Sequence, residues 1–237
     1  MFRFYFLRLL RDYLGHAILI GLPIFLIAML TYINAPDQTG WAEISRHITI
    51  LFVVMFQIFG AAYTFEGIEA DFLSPMKDRL HATPANPMHL VAVQILFSTL
   101  VSLIQSFILI VFSMVLFNAA FERVLSIMGF LVLSALAAQL LGGILVMFLK
   151  SASKAQVVIT LYAIFAPMLA GLNFPLPDHA VTPFLERYST PIAWTRTGLE
   201  GILNGDGSDM LFGVVSLLVL IGVLTALLHQ AAKKVIA

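Results

Sequence analysis

The chain has 237 residues, of which 60% are hydrophobic and only 11% are charged, and its mean hydropathy is +0.98. Soluble domains carry roughly 25% charged residues, so this composition excludes an ordinary water-soluble protein. Basic and acidic residues balance at 13 each, so no basic excess indicates a nucleic-acid partner, and the absence of cysteine excludes disulfides, cysteine-ligated zinc and a thiol nucleophile.

Residues 1–13 form a cationic amphipathic pattern. On a helical wheel, one arc is apolar and the opposite arc carries Arg3, Arg8 and Arg11. This pattern predicts a helix that lies in the membrane interface. A cleaved signal peptide is disfavoured, because no small-residue cleavage site follows and the apolar run continues to about Ile33.

Six segments are apolar and long enough to cross a membrane, which takes about 20 residues. They are residues 14–34, 46–67, 89–117, 124–149, 155–173 and 209–230. We therefore predict an all-α integral membrane protein with six transmembrane helices in a single transmembrane domain, residues 1–237. Glutamines inside these spans are costly against lipid and are expected to face protein or a substrate pathway, with hydrogen bonds between helices as the commoner reason. They are Gln57, Gln94, Gln105 and Gln139.

The distribution of lysine and arginine predicts the orientation, because cytoplasmic loops carry an excess of both. With six spans, nine of the 13 basic residues fall on one side and four on the other. The nine are Arg3, Arg8, Arg11, Lys77, Arg79, Lys150, Lys154, Lys233 and Lys234, and the four are Arg46, Arg123, Arg187 and Arg196. Both termini and the segment 68–88 are therefore predicted to be cytoplasmic.

Segment 68–88, between the second and third spans, is rich in charge but keeps apolar residues that could form a docking surface. Pro75 suits the first turn of a short helix, and Thr83-Pro84 would end it. We predict a short helix parallel to the membrane on the cytoplasmic side. A solvated loop with turn prolines is the alternative on spacing alone.

Segment 174–208, before the last span, is too apolar for a free loop. It is also too short, and too broken by Pro183 and Pro191, to cross the bilayer. We predict two short re-entrant helices that dip into the outer leaflet, with Tyr188 and Trp194 at the interface. Irregular backbone at that depth is tolerated only against protein or a wet cavity.

The two segments carry a family resemblance. Between spans two and three, Asp71, Asp78, Leu80 and Thr83-Pro84 match an acidic–x–x–x–Gly-Thr-Leu-Glu-x-Leu-x-x-Thr-Pro pattern, in which Pro75 and Lys77 replace glycine and leucine. Leu176-Pro177 and Pro191-Ile192-Ala193-Trp194 match a Leu-Pro and a Pro-aliphatic-x-aromatic pattern before the final span. In these motifs and in its helix order, the chain resembles the permease subunits of type-2 ABC exporters.

The resemblance implies a permease without enzymatic activity of its own, in the bacterial cytoplasmic membrane, that moves an amphipathic drug-, peptide- or lipid-like substrate outward. The chain contains no Gly-x-x-x-x-Gly-Lys-[Ser/Thr] phosphate loop, so ATP and magnesium are expected on a separate ATPase subunit. A second permease chain, identical or related, and membrane lipids are the other implied partners. No catalytic or metal-binding residue is expected in this chain.

The resemblance also assigns candidate site residues. Those expected to couple the chain to the ATPase are Glu69, Asp71, Phe72, Met76, Lys77, Asp78, Arg79, Leu80, Thr83 and Pro84. Those expected to line the substrate pathway, on spans two and five, are Phe56, Gln57, Phe59, Tyr63, Thr160, Tyr162 and Asn173.

Two other classes of protein remain as alternatives. A secondary transporter or channel without an ATPase partner would usually show ionisable residues at mid-membrane or a repeated pattern of interrupted spans, and neither stands out in the sequence. An intramembrane enzyme would need a convergent constellation, but His-Glu-x-x-His and Gly-x-Ser-x-Gly are both missing.

Overall fold

The computed structural model describes residues 13–35, 40–75, 86–173 and 176–236, with side chains as far as Lys233. These residues form nine α-helices and one π-helical turn, and no strand occurs among them. The helices are α1 (Tyr13–Asn34), α2 (Trp41–Phe59), α3 (Ala62–Ile68), α4 (Pro87–Phe117), α5 (Val124–Leu149), α6 (Ala152–Leu169), α7 (Thr182–Tyr188), α8 (Pro191–Asn204) and α9 (Gly207–Ile236), and the π-helical turn is Glu69–Leu73. The predicted all-α class is confirmed.

Six helical segments in the described part of the chain are long and apolar enough to cross a membrane, which confirms the predicted number of spans. Five of them are single helices: α1, α4, α5, α6 and α9. The other is the composite segment Trp41–Leu73, which contains α2, α3 and the π-helical turn.

This second span is longer than the predicted segment 46–67, and it is interrupted at Gly60-Ala61. The interruption lies where the span approaches α4 closely: a Cβ at Gly60 would stand 2.7 Å from the Ser102 hydroxyl oxygen. A larger residue there would force a shift of the Ser102 hydroxyl, which accepts a hydrogen bond from Gln139.

The fifth span also differs from its predicted bounds, 155–173. It begins at Ala152, where the Ser151 hydroxyl accepts a hydrogen bond from the Lys154 amide and caps the helix. It ends at Leu169, just before Gly171 adopts a φ of +63°, a left-handed conformation that favours glycine.

Three predicted elements lie outside the spans. Residues 1–12 of the interfacial helix, and residues 76–85 of the helix between spans two and three, fall outside the described residues. The two short helices expected between 174 and 208 are present as α7 and α8. Their depth in the membrane stays a prediction.

The spans differ in how much neighbouring helices cover them. The composite second span and α5 are mostly buried and form the centre of the described structure. In contrast, α1, α6 and α9 are largely exposed and apolar, as expected for helices that face lipid. The centre therefore consists of two spans, and α4, α8 and α9 pack against them.

Candidate functional site

The segment between spans two and three begins as a direct continuation of the second span, through the π-helical turn. Oε1 of Glu69 accepts a hydrogen bond of 2.9 Å from the backbone N–H of Ala152. Ala152 is the first residue of α6, and first-turn amides have no partner within their own helix. One carboxylate thus ties the end of span two to the start of span five.

Three of the ten predicted coupling residues lie in the described structure. Glu69 is half-buried, whereas Asp71 and Phe72 are buried, at 9% and 3% exposure. The Phe72 ring therefore packs in the core and offers little surface to a partner in this conformation. The other seven lie outside the described residues: Met76, Lys77, Asp78, Arg79, Leu80, Thr83 and Pro84. The coupling role of all ten stays a prediction.

Polar side chains join the central helices through hydrogen bonds. Nε2 of Gln139, on α5, donates to the Ser102 hydroxyl of α4 at 3.0 Å, while its Oε1 accepts from the Thr64 hydroxyl of α3 at 2.6 Å. Gln57 donates to Ser106 at 3.1 Å and so joins α2 to α4.

Gln94 of α4 donates to the carbonyl oxygen of Tyr63 at 3.0 Å. Gln105 is also buried, but its Nε2 has no hydrogen-bond partner within the described part of the chain. All four glutamines face protein, as predicted, and three of them make bonds between helices.

The seven predicted pathway residues do not converge on one opening. Phe56, Gln57 and Tyr63 are buried between helices of the same chain. Phe59 is half-buried and packs against Phe56, with ring centroids 5.4 Å apart. The Tyr63 hydroxyl also hydrogen-bonds Nδ1 of His16 on α1, at 2.5 Å.

The remaining three lie on or just after α6. Thr160 accepts a hydrogen bond from Gln156, one turn earlier on the same helix. Tyr162 lines a small apolar cavity of about 60 Å³ together with Ile58 and Leu217. Asn173 lines a much larger cavity, which lies at the start of span two, whereas Glu69 lies near the end of that span.

This larger cavity, which we call the α1–α2–α8 cavity, has a volume of about 850 Å³. Its charged or titratable wall residues are Glu43, Arg46, His47 and Glu200, and its apolar wall includes Leu30, Ile48, Leu51, Leu172 and Leu203. Sequence reasoning did not select this group. The available signal was the spacing of positions 43, 46 and 47, which places them on one helical face.

Three arginines fix the segment that contains α7 and α8. Arg196 donates to the carbonyl oxygen of Ala170 and pairs with Glu200 at 2.8 Å. Arg123 donates to the carbonyl oxygen of Ile202 at 3.3 Å.

Arg187, on α7, pairs with Asp209 of α9 at 2.7 Å, and the hydrogen bond from this guanidinium to Asp209 raises the pKa of Arg187. Its guanidinium carbon also lies 5.1 Å from the centre of the Phe212 ring. Nearby, hydrogen bonds from Ser208 lower the pKa of Asp206 in the turn before α9. The two short helices are therefore held to α5, α6 and α9 by charged contacts.

Comparison with known proteins adds one finding. A family model described as ABC-2 family transporter protein matches residues 34–228, which is most of the chain. The matched range covers spans two to five, segments 68–88 and 174–208, and most of the last span. No curated protein matches the chain significantly.

Proposed function

We propose that the chain is the permease of an exporter driven by ATP hydrolysis in a separate subunit, because it belongs to the ABC-2 family of transporter proteins. Members of this family are membrane transport subunits and normally work with an ATPase subunit. The outward direction, the identity of the ATPase and the pairing of two permease chains are parts of the proposal. So is a bacterial cytoplasmic membrane location with both termini inside.

The family match carries this proposal, and the hydrogen bond between Glu69 and Ala152 supports the way in which we propose that it works. We expect the ATPase to receive the predicted helix over residues 72–83 and to displace it when the ATPase closes around ATP. The start of segment 68–88 is continuous with span two and hydrogen-bonded to span five. A displacement would therefore move both spans together rather than bend a loop.

ATP supplies the direction of the cycle. A ligand shifts a conformational equilibrium only as far as its affinities for the two states differ. Tighter binding of ATP to closed ATPase subunits would favour one state of the permease, and hydrolysis would release it. The amphipathic drug-, peptide- or lipid-like substrate that the resemblance implies is also part of the proposal.

The proposal is tested by Leu80→Asp, which places a charge on the expected apolar docking surface. We expect less co-purified ATPase and a loss of ATP-dependent transport, with normal membrane insertion. Leu125→Asp is the matched control, because Leu125 is 87% exposed in the first turn of α5, on the side predicted to face outward. Transport by the purified chain without any ATPase would instead support a secondary transporter and would overturn the proposal.

A further inference from the structure

The α1–α2–α8 cavity contains two opposite charges that the proposed function does not use. Glu43 and Arg46 lie three residues apart on α2, and both line the cavity. Within the described part of the chain, neither side chain forms a hydrogen bond or an ion pair. Both charged groups therefore remain available to a ligand.

Arg46 differs in this respect from the other arginines of the described structure. The guanidinium of each of the others is bound to a carbonyl or a carboxylate oxygen. Those arginines are Arg123, Arg187 and Arg196. Glu200, the second acidic residue of the cavity wall, already pairs with Arg196. The free acidic and basic groups of the wall are thus Glu43 and Arg46, with His47 one residue further.

The size and the other walls of the cavity indicate what could fill it. A volume of about 850 Å³ lies within the range of small-molecule sites, roughly 300–1,000 Å³. Leucine and isoleucine side chains from α1, α2 and α8 form an apolar wall beside the charges. Mixed walls of this kind suit a molecule with a charged part and an apolar part.

We propose that this cavity binds the zwitterionic headgroup of an amphiphile. The planar guanidinium of Arg46 would donate to a phosphate, and the carboxylate of Glu43 would lie against an ammonium group. Residues three apart on a helix have Cβ atoms about 5–6 Å apart, which suits a phosphate and an ammonium joined by two carbons. The apolar wall would cover the start of the acyl or alkyl chain.

This inference rests on the proposed function, because it names the substrate class of that transporter. The ligand is an amphiphile rather than a soluble zwitterion, because leucine and isoleucine side chains form the wall beside the two charges. Binding of the headgroup and binding of the apolar chain do not depend on how the ATPase is attached, so binding can be measured on the full chain alone.

The test measures binding to the purified full chain in maltoside detergent by isothermal titration calorimetry. The probes are hexylphosphocholine, hexyltrimethylammonium, hexyl phosphate and chain-free phosphocholine. We expect hexylphosphocholine to bind about tenfold more tightly than any of the other three, the effect of one partly exposed charge-assisted contact. If phosphocholine bound as tightly as hexylphosphocholine, the proposal that the ligand is an amphiphile would be overturned. If all three hexyl compounds bound equally tightly, the proposal that its headgroup is zwitterionic would be overturned.

Two variants separate the charges. Arg46→Gln should weaken hexylphosphocholine and hexyl phosphate about tenfold but leave hexyltrimethylammonium unchanged, and Glu43→Gln should weaken hexylphosphocholine and hexyltrimethylammonium instead. The controls Glu122→Gln and Lys154→Gln alter exposed charges outside the cavity and should change nothing. Unchanged affinities in both test variants would overturn the site.

The two proposals fail in different ways. If hexylphosphocholine does not bind but ATP-dependent transport persists and depends on Leu80, the headgroup site is wrong and the exporter stands. If hexylphosphocholine binds as expected but no ATPase is needed for transport, the exporter is wrong and the site stands.

Discussion

At the scale of single residues, we expect substitutions of two buried glutamines to affect the free energy of unfolding differently. Gln139 satisfies both ends of its amide, with Ser102 and Thr64, whereas Nε2 of Gln105 has no partner within the described part of the chain. Gln139→Leu would leave two buried hydroxyl groups without these bonds, so we expect a loss of about 1–2 kcal/mol in the free energy of unfolding. Gln105→Leu should leave the stability unchanged or raise it.

Reversible unfolding in mixed detergent and sodium dodecyl sulfate measures both variants. The pair is well matched, because each substitution replaces a buried glutamine by leucine in a span. Equal destabilisation by the two substitutions would contradict the expectation that the hydrogen bonds of Gln139 stabilise the protein.

The sequence could select these glutamines but not their partners. A buried amide inside an apolar span signals contact with protein, whatever the arrangement of helices. Which serine or threonine it meets depends on the rotation and depth of the neighbouring helix. Ser102 and Thr64 look like many other small polar residues in the spans, so only the packed structure identifies them.

At the scale of elements, Glu69 joins the end of span two to the start of span five. Glu69→Ala removes the carboxylate that binds the Ala152 amide. We expect ATP hydrolysis to continue while the amount transported per ATP falls several-fold, because the displacement of span two would no longer carry span five with it. Glu69→Gln keeps an oxygen acceptor and should behave nearly as the unchanged chain.

Transport and hydrolysis must be measured on the same proteoliposomes to separate coupling from assembly. Glu122→Ala is the control, since Glu122 is exposed in the turn between α4 and α5. If Glu69→Ala instead abolishes co-purification of the ATPase, Glu69 contacts the partner and is not the link between the spans.

The ends of the second span illustrate what hydropathy leaves out. The apolar pattern predicts a span over 46–67, but the helical segment extends over Trp41–Leu73. Hydropathy measures how much of a segment suits the hydrocarbon core, whereas a helix continues wherever its backbone bonds are made. Glu43, Glu69 and Asp71 therefore fall outside the predicted span although all three lie on helical residues. The apolar pattern indicates neither the hydrogen bond between Ala152 and Glu69 nor the position of Glu43 in a cavity wall.

At the scale of the whole molecule, the number of spans was predictable and their arrangement was not. Each span exceeds the roughly 20 apolar residues that a crossing takes, so the count follows from length and composition. The central position of α2 and α5 does not, because helices that face lipid and helices that face protein are equally apolar. The glycine pair Gly142-Gly143 in α5 is a weak sign that another helix approaches closely. A Cβ at Gly142 would lie 2.9 Å from the Phe65 ring of α3.

The orientation decides whether segment 68–88 can meet an ATPase at all, and the absence of cysteine makes it directly measurable. Ser126 is exposed in the first turn of α5, and Ser153 is exposed in the first turn of α6, so they lie near the start and just beyond the end of span four. In spheroplasts, a membrane-impermeant maleimide should label Ser126→Cys at once and Ser153→Cys only after permeabilisation. The reverse pattern would place segment 68–88 outside, where no ATP-driven subunit could bind it.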